Sequence, residues 1–133
     1  MQDFHKIRAW NEATELAIAI RRITARFPKS EYGSLRNQMI RSAESIADNI
    51  AEGAGAATSA EFARYLDMAI KSSSELENQV ERSHRYELIR DGELAELTTK
   101  VCTVRKMTWG LRKTVLGDVP SRTDDEQRTA DNG

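Results

Sequence analysis

Apolar residues recur along this chain at intervals of three and four, and four separate stretches keep that rhythm. In the first, Trp10, Ala13, Leu16, Ala17, Ile20, Ile23 and Phe27 share one face at a 3.6-residue period. They predict a helix from Phe4 or Lys6 to Arg26, ended by Pro28. In the second, Leu35, Met39, Ala43, Ile46 and Ile50 form the stripe of a helix from Glu31 to Glu52. Gly53 and Gly55 stop it, with Gly53 expected as the left-handed cap. The third stretch places Phe62, Tyr65, Leu66, Ala69, Ser73, Leu76, Val80 and Ser83 on one face and runs to about Leu88. In the fourth, Leu94, Leu97, Val101, Val104, Thr108, Leu111 and Val115 alternate by three and four as a heptad seam.

The breaks carry their own signals. Thr58-Ser59-Ala60-Glu61 reads as a capping box at the start of the third helix, and Asp91 as the cap of the fourth. No strand pattern competes. Three short connections favour antiparallel neighbours, so the predicted fold is all-α, an antiparallel up-down-up-down four-helix bundle over residues 1–116. From Gly117 to Gly133 apolar residues are sparse, which predicts a polar, disordered tail.

Several residues fall outside these stripes. Ile7 and Ile18 share a face of helix 1 away from its apolar stripe, Met68 is displaced from the core arc of helix 3, and Met107 and Trp109 flank the seam of helix 4 on opposite sides. These five are either the margins of wide core stripes or an oligomer interface. On helix 2, Gln38, Arg41, Ser45, Asn49 and Glu52 fall in one narrow arc opposite the stripe. Ser and Asn are mediocre helix formers, because their side chains compete for nearby backbone groups. The stretch SIADNIAEG, Ser45 to Gly53, nevertheless places them there. The arc is either a solvated outer face or a polar surface on which another chain or a ligand packs.

Charge adds little to this picture. Charged residues make up 31% of the 133 residues and the net charge is −1. The two basic and five acidic residues from Gly117 onward leave residues 1–116 with 18 basic and 16 acidic, too mild a balance to predict phosphate binding by itself. Lys100, Arg105, Lys106, Arg112 and Lys113 cover the outer side of helix 4, and Arg21, Arg22, Arg26 and Lys29 close helix 1. Cations near helix C-termini are favourable on dipole grounds alone. The helix 4 set is also a candidate for weak phosphate contacts, stronger if several subunits bring such patches together. One cysteine, Cys102, excludes an internal disulfide and fits a reducing compartment. No apolar stretch resembles a signal core or a membrane span, so the expected location is cytoplasmic, without membrane attachment.

Reactive chemistry is hard to find. His5 and His84 have no ligand-like spacing, and Glu81-Arg82-Ser83-His84 is a single formal copy of a motif that di-iron bundles need twice, facing inward. Gly53-Ala54-Gly55 follows a helix and is no phosphate-binding loop. Cys102 lies beside the core seam and reads as packing. No catalytic, cofactor or metal site and no small-molecule substrate is predicted.

Four stretches in order resemble a known family: AWNEATEL at Ala9–Leu16, FPKSEYGSLRNQMIRSA at Phe27–Ala43, SIADNIAEG at Ser45–Gly53, and SAEFARYLDMAIKSSSELENQ at Ser59–Gln79. They look like the small bacterial four-helix bundle proteins encoded in intervening sequences of 23S rRNA genes, also called the S23 ribosomal protein family. The likeness covers about Phe4 to Leu116, with departures at Ser34, Ser42 and Lys71. It implies a closed ring of five subunits and no established activity. The chain is also similar to the accessory protein of diversity-generating retroelements, a pentamer that binds a reverse transcriptase and nucleic acid through basic surfaces. With the resemblance added, the expected function is a non-enzymatic homo-oligomeric interaction protein. The alternative is an RNA- or DNA-binding accessory to a nucleic-acid enzyme. The helix 2 arc is then expected to be a contact surface, intersubunit or external.

Overall fold

The computed structural model describes residues 2–117. Four helices, α1 (Arg8–Thr24), α2 (Lys29–Ala54), α3 (Ser59–Arg85) and α4 (Asp91–Val115), follow a short 3-10 turn at Phe4–Lys6. Each helix packs on the next and α4 returns to α1, so the helices occupy the corners of a square. Cross-helix partners run in opposite directions: Met39 meets Ser83 and Ser45 meets Ser72, while Asp67 meets Arg112 and Glu77 meets Arg105. This is the antiparallel four-helix bundle that the spacing predicts. Beyond Gly117 the predicted tail lies outside the described residues.

The stripes meet in one core. Leu16, Ile20, Met39, Ile46, Ile50, Leu66, Leu76, Val80, Val101 and Val104 are all fully buried, each contributing about 1.5–3 kcal/mol by leaving water. Buried hydroxyls on the same faces are satisfied by carbonyls one turn back in their own helix. Thr24 Oγ1 donates to Ile20 O at 2.7 Å, Ser83 Oγ to Gln79 O at 2.9 Å, and Thr108 Oγ1 to Val104 O at 2.8 Å. That is how Ser83 and Thr108 can occupy stripe positions without an unpaired polar group. Arg36 Nε and Gln79 Oε1 are buried without a hydrogen-bond partner among the described residues.

The helix ends differ from the sequence reading in several places, α1 among them, which ends at Thr24 rather than Arg26. Phe4–Lys6 forms the 3-10 turn, with Asp3 accepting from the His5 amide at 3.1 Å, and α1 starts only at Arg8. The α2 helix starts two residues earlier than expected, directly after Pro28, which suits a position where an amide would have no helical partner. Gly53 is not a left-handed cap: it lies inside α2 and is buried, and the helix ends at Gly55 with φ −86°. A Cβ at Gly53 would lie 2.7 Å from a ring carbon of Phe62 and 3.1 Å from the Cβ of Tyr65. The glycine is there for close approach of α3, not for a turn. Finally, Asp91 is the first residue of α4, and the amide of Arg90 is held by Glu93 Oε1 at 2.8 Å.

The α3–α4 connection ends α3 three residues before Leu88. Tyr86 caps the helix, and Glu87 takes the left-handed conformation at φ 62°. The amides of Glu87 and Leu88 return to His84 O and Ser83 O, both at 2.9 Å, in a Schellman arrangement. The reversal tucks Ile89 into the core, at a conformational cost for Glu87 of about 1–2 kcal/mol.

Candidate interaction surfaces

The helix 2 arc does not behave as one surface. Ser45 and Ser72 hydroxyls are hydrogen bonded at 2.9 Å, joining α2 to α3. Asn49 Nδ2 donates to Ser45 O at 2.8 Å and to Ser45 Oγ at 3.0 Å. Gln38 Oε1 accepts from Arg82 at 3.4 Å. The contact partner of Gln38 and Ser45 is therefore α3 of the same chain, and Asn49 braces Ser45. Arg41 and Glu52 stay exposed. The projection placed all five opposite the stripe, but α2 is flanked by α1 and α3 at once. Its buried arc accordingly widens to take in Ile40, Ser42 and Ala47.

The off-stripe apolar residues also divide. Ile7 is only 7% exposed and belongs to the core cluster, contrary to the expected interface role. It precedes α1 in extended backbone at φ −82° and ψ 116°, so the helical projection that set it apart does not apply. Met107 is half-buried and packs against the core, its flexible side chain extending the α4 seam. Ile18, Met68 and Trp109 remain 38%, 39% and 43% exposed.

Ile18 forms a ridge between two grooves. One, between α1 and α2, has a volume of about 490 Å³ and is lined by Trp10, Ala17, Ile18 and Ala47 with Glu44 and Asp48 along its rim. The other, between α1 and α4, measures about 410 Å³ and includes Ile18, Ile23, Leu97 and Lys100. Glu44, Asp48 and Glu52 follow one another at four-residue spacing on α2. Partial burial raises the Asp48 carboxyl above its ordinary range, and the charges of Glu44 and Glu52 push the same way. The sequence reading missed this acidic row, although its spacing is legible in the chain. Arg21 reaches Glu44 at 3.1 Å.

The five helix 4 cations do not form one patch. Arg105 pairs with Glu77 at 2.7 Å and Arg112 with Asp67 at 2.6 Å, both on α3. The Arg112 guanidinium also stands 5.6 Å from the centre of the Trp109 ring. Lys100 lines the α1–α4 groove. Lys106 and Lys113, seven residues apart, lie on the outer side with Trp109. Two of the longest side chains thus turn towards α3 carboxylates, and the positive charge left facing outward is small.

Other charged contacts read as structural. Arg26 makes a two-pronged pair with Glu93, one arm at 2.7 Å, and donates to Leu88 O at 3.3 Å. Those contacts, together with the Arg90 amide, hold the Glu93 carboxyl well below the usual range, at about 2. They tie the end of α1 to the start of α4. His84 Nε2 lies 2.7 Å from Asp91 across the α3–α4 connection. Among the described residues no group of three or more His, Cys, Asp or Glu side chains could hold a metal ion. Among them, too, no helix is long and apolar enough to cross a membrane.

Geometry alone defines an all-α bundle whose polar residues tie helix to helix and whose exposed apolar residues lie on α1, α3 and α4. The chain belongs to the 23S rRNA-intervening sequence protein family, which it matches over residues 5–110. Its fold is similar to a crystal structure of a protein of unknown function from the S23 ribosomal protein family of Bacteroides thetaiotaomicron. The two superpose with a TM-score of 0.70 at 24% identity, covering 79% of this chain and 98% of that one. Neither comparison indicates an enzymatic activity. No curated protein matches the chain.

Proposed function

We propose that this protein is a non-enzymatic, homo-oligomeric interaction module acting in the cytoplasm. The observation that carries the reading is the exposure of Ile18, Met68 and Trp109 on three different helices after the core is complete. Large apolar side chains of this kind contribute about 1.5–3 kcal/mol each when covered, and copies repeated around a ring add up. The family resemblance supplies the number five. Sedimentation of the full chain over a micromolar dilution series tests this: the expected species is about five times 15.0 kDa. A dimer or tetramer would keep the assembly and reject the number, while a persistent monomer would reject the assembly.

A second reading, an RNA- or DNA-binding accessory, draws on Lys106 and Lys113 on the outer side of α4 and on the family's link to rRNA genes. Binding of a labelled RNA that weakens steeply with added salt would support it. The ion pairs of Arg105 and Arg112 with α3 argue for a shallow salt dependence.

A further inference from the structure

We infer that assembly is head-to-tail, with the outer face of α4 from one copy seated in the α1–α2 groove of the next. The inference rests on the homo-oligomer reading above and names the two surfaces that meet. Trp109 and Leu116, the residue that caps α4 with its amide on Arg112 O, are both exposed and seven residues apart, so they fall on one side of the helix at a separation of about 10 Å. Lys106 and Lys113 flank that face at the same spacing.

The groove presents the complement. Trp10 and Ile18, eight residues and about 12 Å apart along α1, offer the apolar contacts. Asp48 lines the groove and Glu52 follows it one turn on along α2, while Glu44 at the other end is paired with Arg21. A lysine brought against that row would offset the burial, and after it the Glu44 and Glu52 charges, that raise the Asp48 carboxyl. An apolar pair flanked by lysines thus faces an apolar pair flanked by carboxylates, at matching length. Charge complementarity of this kind fixes register and suppresses wrong partners.

The positions of the two surfaces on the bundle set the symmetry. In the square of helices, the α1–α2 side lies opposite the α3–α4 side. Trp109 leans towards α3, since the Arg112 guanidinium beside its ring pairs with Asp67. The surfaces are different and lie on opposite sides, so a copy cannot satisfy both with a single partner. Such a contact is heterologous and propagates into a ring or an open filament.

The test uses two full-length variants, Ile18→Glu and Trp109→Glu, both at exposed positions, with far-UV circular dichroism confirming that each stays helical. Each variant alone is expected to be a monomer by light scattering. Mixed in equal amounts they should form a dimer and stop there, because the intact α4 face of the first fits the intact groove of the second. Oligomers that persist in both single variants, or a mixture that stays monomeric, would overturn this pairing while the native chain still assembles. A native chain that is itself monomeric at micromolar concentration would overturn the underlying reading as well. Charge reversal gives an independent check on the register: Asp48→Lys or Lys113→Glu alone should lower the assembled mass, and the two together in one chain should restore it. A double variant no better than its parents would remove the assigned register.

Discussion

Between α2 and α3, Ser45 and Ser72 share a hydrogen bond at 2.9 Å, Asn49 braces Ser45, and Gly53 admits Phe62. On the outer sides of α1 and α4, Ile18 and Trp109 stay more than a third exposed. Both regions break the simple pattern of an apolar stripe backed by a charged face, but in opposite senses. In the first, polar residues sit where a helix packs, and their partners come from the same chain. In the second, apolar residues stay exposed after the four described helices have packed. Residues that violate the pattern therefore divide according to whether the chain itself supplies what they contact. Only the second kind is a pointer to another molecule.

The closeness of the α2–α3 seam is the easiest part of this contrast to break. Gly53→Ala should improve helix propensity by about 1 kcal/mol, yet it places a methyl group against Phe62 and Tyr65. Overpacking costs typically about 1–3 kcal/mol, so a net loss of up to about 2 kcal/mol is expected in urea unfolding at fixed protein concentration. A stabilised variant would mean that α3 can retreat and that the seam is looser than described. The hydrogen bond itself is sharpened by a double-mutant cycle on Ser45→Ala and Ser72→Ala. Removing either hydroxyl leaves its partner half-satisfied, so the cycle should return a coupling of about 1 kcal/mol. Coupling near zero would place both serines in water.

The clamp joining α1 to α4 is electrostatic, in contrast to the neutral α2–α3 hydrogen bond. Glu93 titrates at about 2 against an ordinary value of 4.5. Its folded pKa is depressed, so its contribution is fully present above pH 4.5 and is lost as pH falls towards 2. Arg26 is 44% exposed, so solvent screening limits that contribution to about 1 kcal/mol. Arg26→Ala should flatten the acid limb of the stability profile by the same amount. The smallest effect belongs to the α3–α4 connection: Glu87→Gly relieves a left-handed residue and should stabilise the fold by about 0.5–1 kcal/mol, measured as a raised urea midpoint.

The helices and their antiparallel order were legible in the sequence because each stripe is long and keeps one period. Leu94 through Val115 needed no tertiary information to be placed on one face. What the sequence could not show is how wide a buried arc becomes when a helix has two neighbours. That is why Ser45 and Asn49 looked outward-facing and Gly53 looked like a stop. Ile7 was misplaced for a different reason, the extended backbone between the 3-10 turn and α1, which a uniform helical projection ignores. The cations of α4 were read as one patch because spacing gives the side of a helix but not which carboxylate a long arginine will reach.

The most direct test of the contrast is light scattering on Trp109→Glu and Ser72→Ala, measured side by side at the same micromolar concentration. In the assembly proposed above, the α2–α3 seam serves the fold and the outer face of α4 makes the contact between copies. Trp109→Glu should therefore fall to a single 15.0 kDa chain with its unfolding midpoint extrapolated to the monomer unchanged, while Ser72→Ala keeps the native assembled mass and loses only stability. An intact assembly in Trp109→Glu together with a dissociated Ser72→Ala would reverse the roles of the two regions and contradict the account.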